Sequence, residues 1–381
     1  MRWLGDIVRA MSCRIAGIAV ASVCAGVIAC GGERQTVADG GPATPIAGCP
    51  DLSNYATCAV RDVPGPFVPR RANVLLVVER SARLLRVPPG AADNAWVAMT
   101  TGLAAALDRP RDNVQFAMLG YPSGMSDGCG EGCCYMLPAD RAVRGPIGPD
   151  SAPRIVEVLL SGQPEGEAPM AAALATARQY LTEVDVPAQG DTFVVLIAGG
   201  GPDCGDTGTC GAERCVPNLE ARCPSGGNCC ADGPTWCLDD QAVSAQIHAL
   251  AGVGIATIVV GLPGAGDLAT VFDDFARAGG RPNPATGGAY YTGVTAADVE
   301  ATMATIFGGL GGRCDATLPI QVAAPDRARV TAGCDLLSTA EVRSTPSAAA
   351  TRVILEGDVC GALAQPAPPS VNVLYDCALT R

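Results

Sequence analysis

Four apolar runs constrain this chain more than any other feature: residues 73–78 (NVLLVV), 114–119 (VQFAML), 193–197 (FVVLI) and 255–260 (IATIVV). Side chains alternate across a sheet, so an unbroken apolar run of this length suits a strand covered on both faces. Between the runs the period becomes helical. Trp96, Met99, Leu103 and Leu107 recur at helix spacing, as do Leu174, Leu181 and Val184, then Val243, Ile247 and Leu250, then Leu268, Phe272 and Phe275. A further helix is expected over 154–160 and a short strand over 289–291. Thr295 and Asp298 form a capping-box pattern ahead of a last helix bearing Val299, Met303 and Ile306. Buried strands alternating with amphipathic helices predict an α/β fold, a doubly wound, mostly parallel, Rossmann-like sheet. Beyond Cys314 the period shortens to alternating runs such as RVILEG and VNVLYD with Pro-rich joints, which predict a small β module.

Sulfur is the second constraint. The chain has 19 Cys; setting aside Cys13, Cys24 and Cys30 leaves sixteen, an even number that in an exported protein implies disulfides. They fall in groups: Cys49 and Cys58; Cys129, Cys133 and Cys134; Cys204, Cys210, Cys215, Cys223, Cys229, Cys230 and Cys237; then Cys314, Cys334, Cys360 and Cys377. Three and seven are both odd. Full pairing, with the end groups paired internally, therefore requires at least one bridge between the second and third clusters. Adjacent Cys133 and Cys134, and Cys229 and Cys230, are expected to choose different partners, because bridging neighbours is strained. No C-x-x-C occurs, which disfavours a zinc ribbon or a thioredoxin-type site.

Export itself is read from residues 1–30. Arg2, Arg9 and Arg14 precede an uncharged stretch, 15–28, that ends in VIAC and then Gly31. The stretch is short for a membrane helix and long enough for a secretory leader. Small residues before Cys30 resemble a bacterial lipobox, which implies acylation of Cys30 and a lipid anchor; a plain signal peptide or an uncleaved anchor are the alternatives. Met11 could serve as the start without changing this reading. Gly31 after the lipid position, in place of Asp, points to the outer membrane. Residues 31–72 then read as a tether and a small segment holding Cys49 and Cys58, followed by a domain over 73–312 with a Cys-rich insertion at 204–237, and a β module over 313–381.

Charge and composition remove much chemistry. All 26 basic residues are Arg, so lysine-dependent phosphate loops, Schiff bases and general bases are absent. The single His, His248, excludes paired-His metal sites and sits on the flank of an expected helix. With 38 acidic residues the net charge is -12, which argues against nucleic acid as a partner. The run GGGPDC lacks the third Gly of a dinucleotide loop and reads as a turn.

The segments NVLLVVERSARL, GEAPMAAAL, VVLIAGGGPDC, CLDDQAV, GIATIVVGL and ARAGG, with Trp96 in the first helix, stand in an order that resembles a von Willebrand factor type A domain. They look like the Cys-rich lipoprotein members of that family, and GDVCGAL and VNVLYDC resemble that group's closing module. The resemblance implies a ligand face at the carboxyl ends of the strands, where most members hold a divalent ion through D-x-S-x-S, a Thr in a later loop and an Asp after the fourth strand. Here those positions carry Glu79, Ser81 and Arg83, then Ala168, then Gly199, and only Ser81 keeps the family residue. Two oxygen donors are lost and a cation is added. This predicts a degenerate adhesion site without a metal or other cofactor, unless Asp203 compensates. Arg83, alone or with Arg80, could present a guanidinium to an acidic partner; alternatively Arg83 pairs with Glu79 or Glu167, or points into solvent. The insertion at 204–237 reads either as a functional loop or as a crosslinked cover. The functional expectation is a non-enzymatic, envelope-anchored module that binds a protein partner at a metal-free face. A structural surface protein without a ligand site, or a domain that still binds a divalent cation, are the alternatives.

Overall fold

The computed structural model describes residues 58–60, 67–88, 90–109, 113–123, 134–148, 150–183, 191–205, 208–224, 226–264, 268–285, 287–310, 313–318, 322, 325–338, 340–345, 350–355, 358–363 and 369–375. All belong to one compact unit, Pro42–Arg381. The leader, the lipidation position Cys30 and its tether, and Cys49, Cys129, Cys133 and Cys377, lie outside the described residues.

Two short strands, β1 (Cys58–Val60) and β2 (Val68–Arg70), precede the alternating core. That core runs β3 (Ala72–Glu79), α1 (Ala95–Asp108), β4 (Val114–Tyr121), α2 (Ala139–Ala142), β5 (Val143–Gly148), α3 (Ala152–Ser161), α4 (Met170–Glu183) and β6 (Thr192–Ala198). It continues through α5 (Val216–Leu219), α6 (Asp240–Gly252), β7 (Ala256–Gly261), α7 (Ala269–Ala278), β8 (Tyr291–Thr292) and α8 (Ala296–Leu310). The strands form a six-stranded sheet in the order β5-β4-β3-β6-β7-β8, parallel except for β5 at one edge. The expected doubly wound, mostly parallel sheet is present.

Alternation along β3 explains why every residue in it is apolar or buried. Leu75 and Val77 pack with Met170, Ala173 and Leu174 of α4 and with Val243 and Ile247 of α6. Val74, Leu76 and Val78 face the other way, onto Met99 and Leu103 of α1 and Met303 and Phe307 of α8. Each such buried side chain stabilises the fold by about 1.5–3 kcal/mol relative to exposure. The start of α8 is a reciprocal cap: the Asp298 amide donates to Thr295 Oγ1 at 3.2 Å and the Thr295 amide donates to Asp298 Oδ2 at 3.0 Å. The Thr295 amide and the Thr295 hydroxyl, which donates to the same oxygen at 2.8 Å, hold the Asp298 carboxyl below its usual range.

The antiparallel strand β5 and the turn of helix α2 were not legible as elements. VRGPIG carries Gly and Pro and alternates in burial, as an edge strand can, so it reads as loop.

After α8 come β9 (Arg313–Leu318), β10 (Arg329–Ala332), β11 (Asp335–Leu336), β12 (Glu341–Thr345), β13 (Ala350–Leu355), α9 (Asp358–Leu363) and β14 (Val371–Tyr375). They form two four-stranded antiparallel sheets, β1-β14-β10-β11 and β12-β13-β9-β2, around a core that includes Leu318, Val330, Val353, Leu355 and Val373. The segment read as a tether and small Cys49/Cys58 unit thus supplies β1 and β2 to the closing module. Three-residue strands whose partners lie hundreds of positions away leave no local signal. The β2 register is fixed by Arg70, whose Nε donates to Asp315 Oδ1 at 2.6 Å and whose Nη2 donates to Oδ2 at 2.9 Å.

Candidate functional site

Parallel pairing brings the strand ends to one edge. Glu79 lies in register with Tyr121, and Ala198 with Gly261. Beyond β3 the chain turns through a short 3-10 helix, Ala82–Leu85, which aims Glu79, Ser81 and Arg83 toward the loops that follow α3 and β6. Hydrogen bonds join Glu79, Ser81 and Gly199 at this edge. Glu79 Oε2 accepts from the Gly199 amide at 2.7 Å and from the Gly200 amide at 3.2 Å, while Ser81 Oγ donates to Glu79 Oε1. Ala168 joins through Asp203, whose Oδ1 accepts from the Ala168 amide at 2.8 Å. Glu79, Ser81, Ala168 and Gly199 are buried.

Arg83 occupies the centre of this group. Its Nη1 donates to the Gly201 carbonyl at 2.6 Å and to Glu220 Oε1 at 3.3 Å; its Nη2 donates to Glu167 Oε2 at 2.8 Å and to Asp203 Oδ2. The side chain is only 4% exposed. A Cβ on Gly200 would stand 2.3 Å from Arg83 Cδ, so the guanidinium stem reaches its seat only because that residue is glycine. An Arg83 that presents itself to an acidic partner is therefore not what the structure contains. It pairs inward, with Glu167 as one of the two partners named from sequence, and with Asp203 and Glu220 in addition.

Among the described residues carboxylates outnumber cations here. Glu79, Glu167, Asp203 and Glu220 act on one guanidinium, and Arg222, through Nε at 2.7 Å, assists only Glu220. In an isolated ion pair the carboxyl would be held low. Here burial, with the field of Glu167, outweighs the attraction of Arg83 and pushes Asp203 up to about 7. Burial by itself would lower Arg83, and the fields of Asp203, Glu220, Glu79 and Glu167 more than reverse it, so the guanidinium stays charged. Burial, and then Glu79, also raise Tyr121, whose hydroxyl is buried with no hydrogen-bond partner among the described residues.

Glu220 comes from the Cys-rich insertion, which covers this edge of the sheet. Its Oε1 also accepts from the Gly201 amide at 2.8 Å, and Arg86 Nη1 donates to the Glu220 carbonyl at 3.0 Å. Bridges Cys210–Cys237, Cys215–Cys230 and Cys223–Cys229 hold the cover together, and Cys134–Cys204 ties it to the segment ahead of α2. Adjacent Cys229 and Cys230 have different partners. Cys314–Cys360 staples the closing module, and Cys334 is also oxidised. The sulfurs of Cys210, Cys230 and Cys237 lie within 4.8 Å of one another, but each is consumed by a disulfide and none is a free thiolate for a metal.

The donor set does not fit the divalent ion that the resemblance implies. A hard cation needs carboxylate and hydroxyl oxygens with lone pairs free to converge on one point. Glu79 is taken by two amides and Ser81, Asp203 and Glu167 by Arg83, and a second cation would have to share the cavity with the guanidinium. His248, the lone imidazole, is exposed on α6.

Glu220 is the residue that sequence reasoning missed. The available signal was electrostatic: a cation substituted into a buried anionic position needs extra carboxylates, and an insertion expected over that face was the place to seek them.

No protein-family model matches the chain, and no curated protein matches it. Several solved structures do. The pilus adhesin SpaC from Lactobacillus rhamnosus GG matches at 14% identity with a TM-score of 0.42, covering 81% of this chain and 40% of its own. Manganese-loaded TRAP protein from Plasmodium vivax matches at 14% identity and TM-score 0.38, covering 68% of this chain and 88% of its own. The vWF domain of the type V pili tip protein Mfa5 from Porphyromonas gingivalis matches at 11% identity and TM-score 0.38, covering 63% and 95%. This chain thus spans about two fifths of the SpaC structure.

Proposed function

We propose that this von Willebrand factor A-type chain is a non-enzymatic binding module that works without a metal ion and is held at a bacterial cell envelope by acylated Cys30. The observation that carries the reading is the seat of Arg83, a buried guanidinium held by Glu167, Asp203 and Glu220 where an ion-dependent face would hold its cation. Ser81 and the carboxylates of Glu79, Glu167 and Asp203 are engaged by one another, by Arg83 and by backbone amides, which favours a binding face over an activated nucleophile or base. No helix among the described residues is long and apolar enough to cross a membrane, so attachment in this reading rests on the lipid at Cys30.

Calorimetry with Mg²⁺, Mn²⁺ and Ca²⁺ tests the metal-free face. The wild-type chain is expected to give no saturable heat, and micromolar binding that disappears in Ser81→Ala would overturn the reading. Mass spectrometry of the mature N-terminus tests the anchor, with an acylated Cys30 expected and an intact Met1 or Met11 counting against it. A structural envelope protein is the second reading. The same sealed face and the density of crosslinks over it favour that role, and a saturable, EDTA-insensitive protein partner would distinguish binding from structure.

A further inference from the structure

Glu79 and Arg80 are neighbours that point to different fates. The Glu79 carboxylate is sealed under the cover. Arg80 crosses to the other side of the strand, where its stem lies over Gly120 of β4: a Cβ there would stand 2.6 Å from Arg80 Cδ. It reaches a cleft of about 250 Å³ beside the β5 edge of the sheet, lined also by Arg144 of β5 and Arg154 of α3, with Ser161, Gly162 and Met118 among the other walls. Three arginines, Arg80 just after β3, Arg144 of β5 and Arg154 of α3, thus line one opening in a chain whose net charge is -12. Arg80 Nη2 donates to the Gln163 carbonyl at 3.1 Å, but among the described residues its Nε is buried without a hydrogen-bond partner and none of the three arginines forms an ion pair. Burial lowers Arg80, the field of Arg144 lowers it further, and only Glu165 offsets them. The repulsion between Arg144 and Arg80 is one that an anion bound between them would relieve.

We propose that this cleft is an oxyanion site that takes the phosphate group of a small ligand, either free phosphate or a monoester of a short polyol. Guanidinium binds phosphate in paired, planar contacts, and a phosphate dianion offers three oxygens and two charges to three forks, whereas a carboxylate offers two oxygens and one charge. The volume is below that of drug-sized sites, which suits a compact ester and not an extended chain. The net charge of -12 repels an anion at long range, so recognition here is local.

The test is isothermal titration of the full chain, purified in a non-ionic detergent, with inorganic phosphate and with glycerol 1-phosphate at ionic strength fixed by chloride. One saturable site is expected. Arg144→Ala with Arg154→Ala, both exposed and so compatible with folding, should weaken it at least about tenfold, while Arg277→Ala on α7 should leave it unchanged. Tighter binding of glycerol 1-phosphate than of phosphate assigns the ester as ligand, and equal binding assigns the free phosphate group; either supports the site. Absence of saturable heat with both probes up to about 20 mM, or binding that the double variant retains, overturns it. Neither outcome depends on whether the Arg83 face binds metal.

Discussion

Arg83 and Asp203 meet through Nη2 and Oδ2 beneath the Cys-rich cover, with side chains 4% and 0% exposed. A charge buried this deeply is tolerated only when it is paired, and breaking a buried pair from one side typically costs about 3–5 kcal/mol because the other partner is stranded. Arg83→Ser should therefore lower stability by that order in urea denaturation, with Arg83→Lys intermediate because ammonium keeps the charge but loses the fork.

The same serine variant carries a second expectation. Removing the guanidinium takes the donor away from Asp203 Oδ2 and Glu167 Oε2, beside Glu79 and Ser81, and restores an acidic-x-Ser-x-Ser pattern. Mn²⁺ should then raise the melting temperature of Arg83→Ser, equivalent to about 2.7 kcal/mol at a hundredfold excess over Kd, and leave wild type unmoved. An equal shift in both proteins would mean that Arg83 does not hold the ion's place.

Asp203 makes the network sensitive to pH in an unusual direction. Its carboxyl sits at about 7 in the fold, above the ordinary value of 3.8, so the folded state holds the proton more tightly than the unfolded chain. The associated stabilisation is fully present below about 4 and is lost as pH rises through about 7. Asp203→Asn cannot ionise, so the stability difference, wild type minus variant, should fall between pH 4 and pH 7 and level off above that. A difference that grows with pH would mean that Arg83 dominates burial and the carboxyl is held low.

How much of this could be seen in the sequence depends on the range of each interaction. β3, β4, β6 and β7 announce themselves because both their faces are covered, and the Thr295–Asp298 cap because it is complete within four residues. The convergence of Glu79, Ser81, Arg83, Ala168 and Gly199 was legible only through the family pattern they depart from. Glu220 and the β1 and β2 pairings were not legible, since each depends on a partner brought near by the fold: Glu220 lies 137 positions from Arg83, and Pro69 pairs with Cys314. The inward turn of Arg83 follows from burial, which a residue's identity does not reveal.

Tyr121 offers a test of what the buried network leaves unsatisfied. Its ring is fully buried, and its hydroxyl lies near Glu79 without a hydrogen-bond partner among the described residues. An unmet buried hydroxyl costs about 1–3 kcal/mol, so Tyr121→Phe should be neutral or stabilising in urea denaturation. A loss of more than about 1 kcal/mol would show that the hydroxyl has a partner, such as an ordered water joining it to Glu79.

The Cys134–Cys204 bridge spans 70 residues and joins the Cys-rich cover to the segment that follows β4. Its sulfur partner on the cover stands next to Asp203, whose Oδ1 accepts from the Ala168 amide, so the crosslink and the charge network share one stretch of backbone. Replacing both cysteines with Ser should cost about 2–4 kcal/mol by the usual loop-closure argument. The informative measurement is local. If the bridge keeps the cover seated, hydrogen exchange in the double variant should rise at the Gly199, Gly200 and Gly201 amides, which donate to Glu79 and Glu220, and not at the buried amides of β4 and β6. Uniformly faster exchange would instead mean that the bridge stabilises the whole domain, and that the cover stays closed over Arg83 without it.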